Sequence, residues 1–346
     1  MYTIKTSERN NENATEFETK SLRYLMTAAP NSENVDLFII DCFNDVTGVS
    51  ADTSESWDVQ SKGVANLTPK KIGIALYTLF SNYISDIDFS HYLLFLQSFS
   101  EEYIHDSTKE LFEIDNFKDK CREKIREGLK KEITDRKDQE VIAHGTEAII
   151  DEFLSRVIFV VDKYDNAEYI RRIIYFQSID KLSTDFLRKI FDEIRAKQAS
   201  KKISNVYGKT VSSIYEAIGF EKNINRKDVE LLVVNRIIGN DLFSKRGIPL
   251  YFVSQVKDKE PEEIHDLLLD CQAKISYTLF NKNNKKNFWL LLERIMTLLI
   301  EKPNSSIKTV FDQISQTIRS NVFTLDEMAT LYLIAIVKEG LQRENH

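Results

Sequence analysis

Two short apolar runs separated by a turn, in the stretch FNDVTGVSADTSESWDVQSK (43–62), constrain the fold more than any other segment of the chain. They follow VDLFIIDC (35–42), whose β-branched and aromatic content predicts a strand. Asp45 stands at the end of the first apolar run and leads into Val46–Val49. Thr53, Ser54, Glu55 and Ser56 mark a turn, and Trp57–Lys62 reads as the next strand. Such a hairpin brings Asp45 beside Gln60 and Lys62. Alternation along the second strand sends Asp58, Gln60 and Lys62 to one face, and Val59 and Ser61 to the other. A carboxylate, an amide oxygen and an ammonium converging on one strand suit a hard divalent cation, Mg²⁺ or Mn²⁺, and attack of water on a phosphodiester.

The surrounding pattern alternates helix and strand. Residues 1–14 are polar, rich in Asn and Glu, and predict no structure; 16–29 predicts a helix with Phe17, Leu22, Leu25 and Met26 on its apolar side. Thr68-Pro69 opens a helix that runs to about residue 84. YLLFL (92–96) and VIFVVD (157–162) predict buried strands, and Phe117, Cys121, Ile125, Leu129 and Ile133 form the core stripe of a long helix over 117–137. Helices follow over 148–155, 168–175 and 183–198, and 201–207 reads as a connection between domains. Beyond it, 211–218, 226–239, 261–279, 288–300, 305–320 and 324–341 all predict helices, the last opened by a Thr324/Glu327 capping box. Residues 250–253 predict a lone strand. The expected fold is an α/β N-terminal domain (1–204), a mixed sheet flanked by helices, followed by an all-α C-terminal domain (205–346).

The chain is long enough for two domains, at 346 residues. Its three cysteines, Cys42, Cys121 and Cys271, are far apart and odd in number, which suits a reducing cytoplasm and excludes a disulfide framework. No apolar run approaches the roughly 20 residues of a membrane span. The net charge of −7 is unevenly spread: 1–62 holds five basic and eleven acidic side chains, whereas 181–210 holds eight basic and three acidic ones. An acidic region about a cation site and a basic region elsewhere fit an enzyme acting on a polyanion, although a solvated helix face gives the same count. The five histidines show no metal-ligand spacing, and Tyr207-Gly208-Lys209-Thr210 lacks the upstream glycine of a phosphate loop and reads as a turn starting a helix.

Helix with Glu, strand ending in Asp, strand ending in Gln-x-Lys, helix, then apolar strand resembles the core of the PD-(D/E)xK, restriction-endonuclease-like superfamily. FNDVTGV followed by WDVQSK resembles, more narrowly, the nuclease domain of bacterial anti-phage effectors: the double-stranded-DNA endonucleases of cyclic-nucleotide-signalling defence and of Lamassu systems. The resemblance covers 15–100 well and up to 200 loosely, and leaves 205–346 uncovered. It implies Asp45 and Gln60 as metal ligands, Lys62 as the catalytic lysine and Glu18, with Glu16 as its rival, as the helix carboxylate. Asp41 and Asp58 offer further carboxylates, and Asp41 would share a face with Asp45 on a continuous strand.

The expected activity is that of a Mg²⁺-dependent endodeoxyribonuclease acting on double-stranded DNA in the cytoplasm, with basic residues of 181–210 on the DNA backbone. A free nuclease would damage its host, so the helical domain is expected to control it through partners or oligomerisation. The resemblance implies an SMC-type ATPase subunit and a small accessory subunit in the Lamassu-like case. It implies a nucleotide messenger in the cyclic-nucleotide case, which the all-helical pattern disfavours. The rival expectation is a non-catalytic assembly subunit that keeps a nuclease-like fold as a scaffold.

Overall fold

The structure, a computed structural model, describes residues 1–4, 12–203, 206–243 and 247–343, with the backbone alone for 12–15. Two compact units result: Met1–Tyr169 with Phe191–Arg226, and Ile170–Ile190 with Lys227–His346. The chain thus crosses between units three times, where a single junction at 204/205 was expected.

The first unit is built on a seven-stranded mixed sheet of order β6-β7-β5-β4-β3-β2-β9. Its strands are β2 (Val35–Ile40), β3 (Val46–Ser50), β4 (Ser56–Lys62), β5 (His91–Leu96), β6 (Leu111–Phe112), β7 (Val157–Val161) and β9 (Asn223–Asn225). β4, β5 and β7 run parallel; β2–β3, β3–β4, β2–β9 and β6–β7 are antiparallel. A separate two-stranded ladder joins β1 (Tyr2–Thr3) to β8 (Thr210–Val211), so the polar N-terminus holds structure on either side of 5–11, which lie outside the described residues. The helices of this unit are α1 (Glu12–Thr27), α2 (Pro69–Ala75), α3 (Tyr77–Tyr83), α4 (Asp119–Arg136), α5 (Gln139–His144), α6 (Glu147–Arg156), most of α7 (Asn166–Arg171), the C-terminal half of α8 (Thr184–Lys202) and α9 (Ile214–Ile218).

Each sheet face is covered because alternate strand residues are apolar on both sides. Ile39, Val49, Tyr92, Leu94, Leu96 and Phe159 join Ile72, Leu79, Phe80, Ile125, Leu129 and Phe153 in one core beneath α2, α3, α4 and α6. The expected stripe of α4 is buried there, with Cys121 partly covered. On the opposite face α1 packs against β2, β3 and β4, and Phe17 meets Phe95 at 4.9 Å between ring centres. Thr68 caps α2, its hydroxyl accepting from Lys71 N, with Pro69 at the first helical position.

The second unit holds α10 (Arg226–Ile238, all but its first residue), α11 (Val253–Val256), α12 (Pro261–Phe280), α13 (Lys285–Glu301), α14 (Ile307–Gln313), α15 (Gln316–Asn321) and α16 (Glu327–Arg343), with no strand among its described residues. α16 is its centre: Ala329 to Gly340 are buried without a break, and α12, α13 and α14 pack around them. Several local expectations change: the helices expected over 68–84 and 305–320 each divide in two, as α2 with α3 and α14 with α15. Leu250–Phe252 is a 3-10 turn leading into α11, closed by the Phe252 N–H donating to the Pro249 carbonyl at 2.8 Å. Asp326, and not Thr324, caps α16, accepting from Ala329 N at 2.8 Å, while Thr324 bonds the Thr278 hydroxyl. Residues 211–218 divide into β8 and the short α9, which Ser213 caps. No described helix is long and apolar enough to cross a membrane.

The closest helix contact in the first unit is between α2 and α4. A Cβ built on Gly73 would stand 1.9 Å from the Ile125 carbonyl oxygen, and one on Gly128 would stand 2.2 Å from that of Lys70. Glycine costs a helix roughly 1 kcal/mol against alanine, but overpacking against backbone costs more. Gly73→Ala is therefore expected to lower unfolding free energy by about 2–3 kcal/mol in urea titration, against the helix-propensity trend; a stabilised variant would mean the helices have room to part.

Candidate functional site

The antiparallel register of β3 and β4 pairs Val46 with Val59, and Asp45 lies one residue outside that ladder. Freed from the strand, its carboxylate folds over the end of β4. Asp45 Oδ2 accepts from Gln60 Nε2 at 2.8 Å, from Ser61 N at 2.7 Å and from the Ser61 hydroxyl at 2.7 Å. Gln60 is buried and also gives Nε2 to the Ser61 carbonyl, so its amide oxygen is the atom turned away from Asp45. Lys62, half-buried, is the last residue of β4, two positions on from Gln60. Of the three expected residues, Asp45 and Gln60 meet at the strand end, and Lys62 stands two positions further along β4. Ser61, assigned by alternation to the other face, joins through its backbone N–H and a hydroxyl that reaches the same oxygen.

Asp41 and Asp58 occupy other positions. The strand is not continuous from 41 to 45: Asp41 has φ 53°, in the left-handed region, and its N–H donates to the Asp45 carbonyl across a turn. It faces the buried Lys222, whose Nζ lies 3.4 Å from Asp41 Oδ2. Asp58 lies in the sheet's interior below α3, with no exposed surface. Asn82 Nδ2 donates to Asp58 Oδ2 at 2.7 Å and to the Phe43 carbonyl, while Asn82 Oδ1 accepts from Tyr2. Burial pushes the Asp58 pKa up to about 7, helped by the nearby Asp45 charge and opposed by Asn82 and Asn44. The same burial, with Asp58 beside it, raises the Tyr2 hydroxyl.

α1 brings Glu18, buried, to the same edge, where it forms an ion pair with Lys202 in the last turn of α8. Burial works against the Lys202 ammonium, yet Glu18, with Asp41 and Asp45 further off, holds its pKa above the ordinary lysine value. Glu16, two residues earlier, is half-exposed; Asn166 donates to it at 2.9 Å and Arg195 lies 3.5 Å away. The basic excess of 181–210 is thus partly taken up by the acidic helix α1. Beyond the ends of β4, β5 and β7 lies a cleft of about 640 Å³ lined by Glu16, Lys20, Gly63, Gln97, Asp162 and Tyr164 among others; Asp45, Gln60, Lys62 and Glu18 are not part of its lining. Lys20 closes one side through Asp162 at 2.8 Å. Ligands of open α/β sheets bind at such carboxyl edges.

Among the described residues, no three His, Cys, Asp or Glu side chains are grouped as a metal site. The donor set at the strand end is smaller: the carboxylates of Asp45 and Glu18 and the Gln60 amide oxygen. It is all hard oxygen, and its two carboxylates both act on the Lys202 ammonium, Glu18 by direct contact. That chemistry fits Mg²⁺ or Mn²⁺. The remaining expectations carry no site. Tyr207-Gly208 is a turn, but it leads into β8 and starts no helix. The cysteines are free, and burial raises the Cys42 thiol to about 11. Lys202, Lys222 and Asn82 were not foreseen; no local pattern marks a lysine at 202 or 222 as the partner of a carboxylate at 18 or 41.

Comparison of the chain with models of protein families, with curated proteins and with solved structures finds no match.

The Asp58 environment sets a pH dependence. An unfolded Asp titrates near 3.9, so between there and about 7 the folded chain holds a proton that the unfolded chain releases. Stability is greatest below the unfolded value and falls as pH rises through about 7. Relative to Asp58→Asn, the wild type is expected to lose on the order of 3 kcal/mol between pH 4 and pH 7.5 in urea unfolding. Parallel pH profiles for the two proteins would mean that Asp58 is solvated.

Proposed function

We propose that this protein is a metal-dependent DNA endonuclease. The observation that carries the reading is the strand-end cluster: Asp45 held by Gln60 and Ser61, with Lys62 two positions further along β4 and Glu18 on α1. Mg²⁺ or Mn²⁺, when bound, would supply charge for the phosphate and a water of lowered pKa. The chain's own groups then have separate tasks. Asp45 and the Gln60 oxygen would hold the cation, with Glu18 as the third donor. Ser61 and Gln60 Nε2 fix the rotamer of Asp45, so it is aimed before a ligand arrives. Lys62, at the end of β4, would place a positive charge on the phosphate as negative charge builds up. The cleft along the carboxyl edge admits the strand to be cut. Exposed basic residues of 181–210, such as Lys189 and Lys209, are the candidates for phosphate contact, whereas Lys202 and Arg195 are committed to Glu18 and Glu16.

The resemblance of FNDVTGV and WDVQSK to anti-phage nucleases supplies the setting: double-stranded DNA as substrate, an SMC-type ATPase and a small accessory subunit as partners, and control through the helical second unit. One observation favours the scaffold reading instead. Asp45 Oδ2 already takes three donors from within the chain, a saturation that structure alone would explain.

Plasmid cleavage with Mg²⁺ separates the two. Lys62→Ala and Asp45→Asn are each expected to lower the cleavage rate about 10²-fold or more, with unchanged circular dichroism, and chelator is expected to abolish it. Cleavage that persists in both variants would sink the proposal. If partner subunits are needed for any cleavage, the variants and the wild type are compared with them present.

A further inference from the structure

The buried side of α8 changes character as it approaches the site. Phe191 and Ile194 are apolar and fully buried. The next two positions on the same helical face are Gln198 and Lys202, a spacing of four in each case. Gln198 has no exposed surface, and neither Oε1 nor Nε2 has a hydrogen-bond partner. Leaving such groups unmade costs roughly 1–3 kcal/mol each. Lys202 continues the stripe with an ammonium 10% exposed on a Glu18 carboxylate 5% exposed. A helix end meant only to stay docked would carry apolar residues here, since buried ion pairs contribute less stability than well-packed hydrophobic replacements. α8 instead seats itself with one unsatisfied amide and one buried cation.

We propose that the last turn of α8 is an internal inhibitor, in which Lys202 Nζ occupies Glu18 in place of the divalent cation. The inference rests on the metal-nuclease reading of the same cluster and adds its regulation. An ammonium and a divalent cation compete directly for one carboxylate, and Lys202 also lies within the field of Asp41 and Asp45, the other charges a cation would meet. Gln198 makes the docked state costly to hold, because withdrawal of the turn returns its amide to water. α8 begins in the second unit, so a partner on that unit has a covalent path to the ammonium.

Mn²⁺ titration of the full chain by calorimetry tests this without recourse to activity. Lys202→Gln is expected to bind Mn²⁺ at least about tenfold more tightly than the wild type. Gln198→Leu, which keeps Lys202 and lets α8 seat without unmade bonds, is expected to raise the melting temperature and weaken Mn²⁺ binding. These opposite movements would not arise from a merely structural ion pair. Wild-type binding that Lys202→Gln fails to strengthen overturns the inhibitor and leaves the metal site standing, as does Gln198→Leu binding as tightly as wild type. Tight binding in Lys202→Gln that survives the added Asp45→Asn change places the ion elsewhere and overturns it too. Absence of binding in the wild type and in Lys202→Gln alike removes the metal reading, and the inhibitor with it.

Discussion

The register of β3 on β4 is the constraint on which the candidate site depends. With Val46 opposite Val59, Asp45 falls just beyond the ladder, where its carboxylate meets Gln60 and Ser61. A slip of one residue would exchange the two faces of β4, turning Asp58, Gln60 and Lys62 towards α1 and the apolar Trp57 and Val59 away from it. Two anchors oppose that slip. Asn82 holds Asp58 on the α3 side through a bond of 2.7 Å, and Trp57 stacks on His91 of β5 at 5.2 Å. The parallel pairing with β5 then runs on to Lys62 and Leu96, which ends both strands at the carboxyl edge of the sheet.

Charge around this edge is balanced over long distances in sequence. Lys20 pairs with Asp162, Lys202 with Glu18 and Lys222 with Asp41, each pair well shielded from water. Shielded pairs of this kind tie down geometry more than they stabilise, because removing either partner leaves a charge in a poor solvent. Counted along the chain, residues 1–62 look like an unopposed acidic block. Folded, two of their carboxylates meet lysines about 180 positions away. The basic stretch 181–210 is accordingly less a free polyanion surface than its composition suggests.

The sheet's centre was legible because it is written in local signals. Apolar runs at 35–40, 91–96 and 157–161, the Thr68-Pro69 helix start and the stripe through Ile125, Leu129 and Ile133 all specify burial without reference to distant residues. Edge strands were not legible. Asn223–Asn225 carries one apolar residue, and only its pairing with β2 makes it a strand. The turn at Asp41 was lost for a related reason: VDLFIIDC continues its apolar pattern to Cys42, and the buried thiol sits within a left-handed turn that composition does not announce. At the site, neighbours within a hairpin could be inferred, namely Asp45, Gln60 and Lys62. Groups delivered by separate elements could not, and Glu18 was reached only through resemblance, with Lys202 unseen.

Glutamine at position 60 follows from the chemistry of its neighbours. A carboxylate there would stand 2.8 Å from Asp45 Oδ2 with no proton to offer, adding a like charge to a region that already holds Glu18, Asp41 and Asp45. The amide resolves this by splitting its two ends: Nε2 donates to Asp45 and to the Ser61 carbonyl, and the oxygen remains to face a ligand. The strand end therefore presents two oxygens of different kinds whose positions are tied to each other. Asp58, whose pKa burial has raised to about 7, carries only part of a negative charge at neutral pH, and more as pH rises. The two acids of this hairpin are divided by environment, with Asp45 hydrogen-bonded as an acceptor at the surface edge and Asp58 desolvated in the core. Only the first is in a position to act on anything outside the fold.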